Sequence, residues 1–210
     1  MGPNDFFYLV LGFLGSFIGT IPFGPINLSV VDATLRDGMK GAIIFAIPAA
    51  IVEFAYSYFS LSFYWVLNEQ VTTSKWISIL VMIVFLLGGL YFFFKKEKPN
   101  TDGPEYKRKN NFLKGFIIAT LNPQAIPYWI FVIGYYNLKN YVDISCTEHL
   151  DLLLSFVLGA ALGKMACLYL YALLSNRIAH RLGRISALMN KIIGLVLFFI
   201  ALVQLIQFFL

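Results

Sequence analysis

The sequence predicts an all-α integral membrane protein of six transmembrane helices, arranged as two inverted three-helix repeats whose first helices, one and four, are broken by proline. Three observations predict it. Of 210 residues, 59% are hydrophobic and 13% charged, whereas soluble chains average about 45–50% and about 25%. Six apolar stretches, 6–31, 41–67, 76–94, 112–138, 152–174 and 192–210, come close to or exceed the roughly 20 residues a helix needs to cross hydrocarbon. The first and fourth of them carry prolines deep inside, and a Pro-interrupted span in each half of a chain marks the binding site in transporters built from repeats. The period-2 alternation of a membrane β-barrel is absent, and the runs are too long for its strands.

The N-terminal residues contain no basic region and no small-residue cleavage site, so the first stretch reads as a retained helix and not a signal peptide. Phe6 stands where a myristoylation motif needs Ser or Thr. The first break is Ile21-Pro22-Phe23-Gly24-Pro25-Ile26-Asn27. A proline removes one helical hydrogen bond and presses on the carbonyl four residues earlier, so Pro22 and Pro25 disturb Ile18 and Ile21 in turn. Freed backbone groups cannot face lipid and must face protein or a wet cavity. Gly24 followed by Pro25 reads as the cap and first residue of a new half-helix, whose exposed amides and dipole attract an anion such as a substrate carboxylate. Residues 32–40 are expected to form the loop to helix two.

On helix two, Glu53 is ionisable at membrane depth, which makes it a functional candidate by default. Tyr56, Ser57, Ser60 and Tyr64 recur with it at steps of three and four and share its face. Taken one at a time, these hydroxyls would be read as interhelical hydrogen bonders; their alignment with Glu53 suggests a lined cavity. Trp65, Trp76, Tyr135, Tyr136 and Tyr141 lie near span ends, where amphipathic rings anchor at the interface.

The polar segment 95–111, with Pro99, Gly103 and Pro104, is expected to be a cytoplasmic linker between a first repeat, 1–94, and a second, 112–210. Three spans per half invert the second half relative to the first. The second break, Leu121-Asn122-Pro123-Gln124-Ala125-Ile126-Pro127, has Asn122-Pro123 as its half-helix start. Pro25 and Pro123 fall roughly 10 and 16 Å from the expected cytoplasmic ends at about 1.5 Å per residue, close enough to share one site. On helix five, Lys164 matches Glu53 as the one deep ionisable residue, in register with Ala160, Cys167 and Tyr171. Gly159 and Gly163 form a small-xxx-small pair for close helix packing. A buried ion pair that merely holds the halves together is the structural alternative for Glu53 and Lys164.

All 16 Lys and Arg residues except Lys75, Lys139 and Lys164 fall in the loops after spans one, three and five or in the flanking residues of those loops. That side is therefore expected to be cytoplasmic in a cell inner (plasma) membrane, with both termini outside. The same bias accounts for the net charge of +5 without a nucleic-acid partner.

Gly24-Pro25-Ile26-Asn27-Leu28, followed by Gly38 and Gly41, and Gly115 leading to Leu121-Asn122-Pro123-Gln124-Ala125, resemble the two signatures of the lysine exporter (LysE/RhtB) family of amino-acid exporters. The resemblance spans the chain in length and layout. Phe23 stands where the family's first signature usually has Pro, and Gln124 where its second usually has Lys. The resemblance implies efflux of amino acids or similar small polar metabolites by exchange with protons.

Two other classes use related architectures. A membrane thiol oxidoreductase of the cytochrome c biogenesis type needs a reactive Cys beside the prolines, whereas Cys146 and Cys167 are elsewhere and at different depths. A metal or cation exporter would gather His, Cys and carboxylates, and His149 and His180 are expected on opposite faces. The expectation is a non-enzymatic secondary transporter without cofactor or metal, dealing with a small-molecule substrate, protons and the lipid bilayer, with homo-oligomerisation left open. Its substrate and ion site is built from Gly24, Pro25, Asn27, Glu53, Tyr56, Asn122, Pro123, Gln124 and Lys164.

Overall fold

The computed structural model describes residues 3–22, 24–71, 110–122, 125–142 and 149–178, together with isolated helical positions in the stretches 83–90 and 195–202. Among the described residues every regular element is helical. In order these are α1 (Pro3–Thr20), α2 (Pro25–Val71), α3 (Asn111–Thr120), α4 (Ala125–Leu138), α5 (Leu150–Leu173) and the short α6 (Ser175–Ile178). Among the described residues two helices, Pro25–Ser62 within α2 and Leu150–Leu173, are long and apolar enough to cross a membrane. Most of the stretches 76–94 and 192–210, and nearly all of the linker 95–111, lie outside the described residues. The chain forms two compact units, residues 1–65 with 104–180, and residues 66–103 with 181–210. The first contains every side chain described below.

Local chemistry sets the helix limits. α1 opens on Pro3 with Asp5 in its first turn, where a missing N–H costs nothing and a negative charge meets the positive end of the dipole. It ends at Thr20 because Pro22 cannot continue it. α2 begins where the carbonyl of Gly24 accepts the Leu28 N–H at 3.0 Å, so Gly24 is the cap and Pro25 the first helical residue.

The expected loop at 32–40 is not a loop. Helix runs through it except at Gly38, whose φ of 70° and ψ of −171° require the left-handed half of backbone space that glycine enters without a Cβ penalty. The charges that make this stretch look like a loop include the Asp32–Arg36 ion pair, which at i,i+4 spacing supports helix instead. Pro127 likewise sits in the first turn of α4, a position where the ring is tolerated because the N–H has no helical acceptor.

α1 and α5 pack backbone to backbone. A Cβ on Gly159 would collide with the carbonyl of Leu9, one on Gly163 with that of Phe13, and one on Gly12 with that of Phe156. The pairing of 9 with 159 and 13 with 163 makes the two helices parallel. Small residues permit this approach, which lets dispersion and backbone contacts replace a hydrophobic force that lipid does not supply. Around the seam lies a core of Tyr8, Leu11, Leu61, Trp129, Ile133, Phe156 and Val157. Tyr136, expected as an interface anchor, packs against this core and donates its hydroxyl to Leu11 O at 3.2 Å. Its neighbours Tyr135 and Tyr141 remain exposed.

Candidate functional site

The prolines of the first break leave specific carbonyls without their helical donors, and each has found another. Pro22 cannot serve Ile18 O, which instead accepts from the Ile21 N–H at 3.2 Å. Pro25 cannot serve Ile21 O, which accepts the hydroxyl of Tyr171 from α5. Asn27, buried in the first turn of α2, reaches back with Nδ2 to Thr20 O at 2.7 Å and Pro22 O at 2.9 Å. Leaving any of these groups unpaired inside a membrane would cost several kcal/mol. Gly24 faces open space, since a Cβ there would have no neighbour within 4 Å.

The second break follows the same logic. Ala119 O, the acceptor that Pro123 would have served, receives the Asn122 N–H at 3.2 Å. Thr120 O, the last carbonyl of α3, receives the hydroxyl of Tyr56 from α2 at 2.6 Å. Each break is thus secured by a tyrosine from the other half of the chain. The helix resumes at Ala125, whose N–H approaches Asn122 O at 3.4 Å. Pro123 and Gln124, named as site residues from the sequence, lie outside the described residues, as do Phe23 and Cys146.

Glu53 and Lys164 meet. Lys164 Nζ stands 3.2 Å from Glu53 Oε2, and each residue is only 6% exposed. The other carboxylate oxygen, Oε1, accepts the indole N–H of Trp129 at 2.8 Å. Desolvation of two charges is costly, and the geometry repays it only when the remaining donors and acceptors are also satisfied. The indole does so here. Trp129 is a partner of Glu53 that sequence reasoning misses. The available signal is its position in mid-span, away from the interface, where an indole N–H must find an acceptor.

The polar face of α2 serves several partners. Tyr56, one turn from Glu53, joins the charge pair to the second break, while Tyr171, roughly 10 Å along α5 from Lys164, joins it to the first. Ser57 is buried and bonds within its own helix to Phe54 O at 3.0 Å. The buried Oγ atoms of Ser60 and of Ser16 on α1 have no partner among the described residues. Cys167 is a free, buried thiol between Lys164 and Tyr171 on α5. Tyr128 donates to Gly15 O at 2.5 Å, so the α4 tyrosines 128 and 136 and the α5 Tyr171 all bond to carbonyls of the first broken span. In the part of α2 before Gly38, Asp32 pairs with Lys114 of α3 at 3.1 Å and Asp37 accepts from Asn111 at 2.9 Å.

Apolar helices broken at proline, with the loose backbone groups re-satisfied by side chains around a buried carboxylate–ammonium pair, are the construction of an integral membrane transporter. A family model described as LysE type translocator matches residues 17–207, and the chain belongs to that family. It is a membrane translocator that moves a small-molecule substrate. Comparisons with curated proteins and with solved structures return no match.

Proposed function

We propose that the chain exports amino acids or similar small polar metabolites across the inner membrane in exchange for protons, with six spans in two inverted repeats and both termini outside. The observation that carries this reading is the buried pair of Glu53 and Lys164 at 3.2 Å. A zwitterion has an ammonium for Glu53 and a carboxylate for Lys164, so it can replace the internal pair without leaving either charge bare. The half-helix start at Gly24-Pro25 offers amides and a dipole to the same carboxylate, and Asn122, Pro123 and Gln124 would complete the cradle from the second half.

In the empty transporter the pair is closed. A substrate ammonium, or a proton, takes the place of Lys164 at Glu53, so only loaded states pass between inward-facing and outward-facing forms. A ligand shifts such a balance only by binding one state better, and displacement of the pair supplies that difference. The test is efflux from preloaded proteoliposomes across a panel of amino acids, with and without a pH gradient. Flux of several members that responds to the gradient supports the reading. Flux of none overturns it.

A further inference from the structure

The two oxygens of Glu53 are not equivalent. Oε2 faces Lys164, whose ammonium sits on a flexible four-carbon stem and can withdraw. Oε1 faces the Trp129 indole at 2.8 Å. Trp129 has no exposed surface and is held on several sides. Its ring meets Phe156 edge-on at 5.6 Å and 67° and lies at 70° to the Tyr128 ring. The Cα of Gly15 is so close that an added Cβ would stand 3.3 Å from Trp129 Cζ3. One donor is therefore exchangeable and the other is fixed.

We propose that Trp129 is a specificity-determining residue, which by occupying Oε1 leaves a single exchangeable oxygen on Glu53 and so admits a primary ammonium while excluding a guanidinium. The proposal rests on the reading that a ligand cation replaces Lys164 at Glu53. A guanidinium binds a carboxylate most strongly through two parallel N–H bonds, one to each oxygen. With one lone pair of Oε1 held by the fixed indole N–H, that oxygen is the poorer acceptor for the second of these bonds, and a guanidinium donor left buried and unpaired there is a larger loss than a missing contact. An ammonium is a compact point charge with no two-oxygen geometry to meet, and Lys164 Nζ approaches Glu53 at Oε2. Among the described residues no second carboxylate offers a substitute. α1 carries only Asp5, in its first turn, and Lys164 is the only acidic or basic residue of α5 besides Asp151 in its first turn.

The test uses probes that differ only in the cationic group, glycine against guanidinoacetate and ethylammonium against ethylguanidinium, and reads their shift of the melting temperature of the purified full-length protein. The wild type is expected to respond to each ammonium at concentrations at least about tenfold lower than to its guanidinium partner, the size expected for one lost bond at a buried charge. Replacing Trp129 by its benzothienyl isostere, which keeps the ring shape and lacks the N–H, should narrow the gap to about threefold or less. Trp129→Phe is a coarser second variant. An unchanged gap in the isostere, or a wild type that prefers guanidinium, overturns the proposal and leaves the transport reading standing. If no probe shifts the wild type, or if Glu53→Gln responds to ammonium as the wild type does, the exchange reading fails and this inference fails with it.

Discussion

Tyr171 on α5 donates its hydroxyl to the carbonyl of Ile21, the acceptor that Pro25 deprives of its helical donor. Tyr56, from the opposite half of the chain, donates its hydroxyl to Thr120 O, the last carbonyl of α3, at 2.6 Å. Both tyrosines stand on helices that also carry one member of the central ion pair. A change at the pair can thus reach both breaks through the two helices that hold it.

Glu53→Gln is expected to abolish flux driven by a pH gradient while leaving some substrate exchange, because the amide is neutral at every pH and can still accept a hydrogen bond. Proteoliposomes with and without an imposed gradient measure both activities. Gradient-driven accumulation at the wild-type rate in this variant would show that the pair is structural.

Lys164→Ala should destabilise the fold by about 3–5 kcal/mol, the usual cost of leaving a buried charge without its partner. The double variant with Glu53→Gln should be more stable than that single one, since no bare carboxylate remains and Trp129 can still donate to the amide oxygen. Thermal unfolding of the two purified variants ranks them. A double variant weaker than Lys164→Ala would contradict the charge argument.

Tyr171→Phe and Tyr56→Phe each delete one hydroxyl and should cost only about 0.5–2 kcal/mol, as hydrogen bonds between membrane helices do. Their effect on access should be larger. In a Cys146→Ser background Cys167, one turn from Tyr171 and 3% exposed, becomes the reporter, and Tyr171→Phe is expected to speed its alkylation several-fold. An unchanged rate would mean that this bond does not help to close the site.

Orientation is testable at the other thiol. Cys146 should react with an impermeant reagent applied outside intact cells, with a denatured control to show that it is free, because exposure alone does not make a thiol reactive. Labelling only after the cytoplasmic face is opened would invert the assigned topology.

The breaks are clearly legible in the sequence, because the position of each proline names the carbonyl four residues earlier that will lack its helical donor. Glu53 and Lys164 stand out as isolated charges in apolar runs, and Gly159 and Gly163 as a pair spaced for close packing. The donors that rescue the orphaned carbonyls are not legible in the same way. Tyr171 and Asn27 act across a helix interface or a turn, and helical periodicity says which residues share a face but not what that face meets. Trp129 escapes notice because its partner lies 76 positions away in the chain. Tyr136 departs from expectation for a related reason: nearness to a span end suggests an interface ring, while only packing reveals that a carbonyl of α1 is within reach. Gly38 is hidden among charges that read as loop and is the joint in a helix that otherwise continues through them.

That joint has a mechanical consequence. The arm of α2 from Pro25 to Asp37 lies between the proline break at one end and the positive-φ Gly38 at the other. A rod with a joint at each end can tilt without giving up any of its own hydrogen bonds. Its inner end is fastened to the carbonyls of Thr20 and Pro22 through Asn27, and its outer part is fastened to α3 through Asp32 and Asp37. α3 in turn ends at the second break. The arm therefore ties the first break, through Lys114 and Asn111, to the helix that ends at the second.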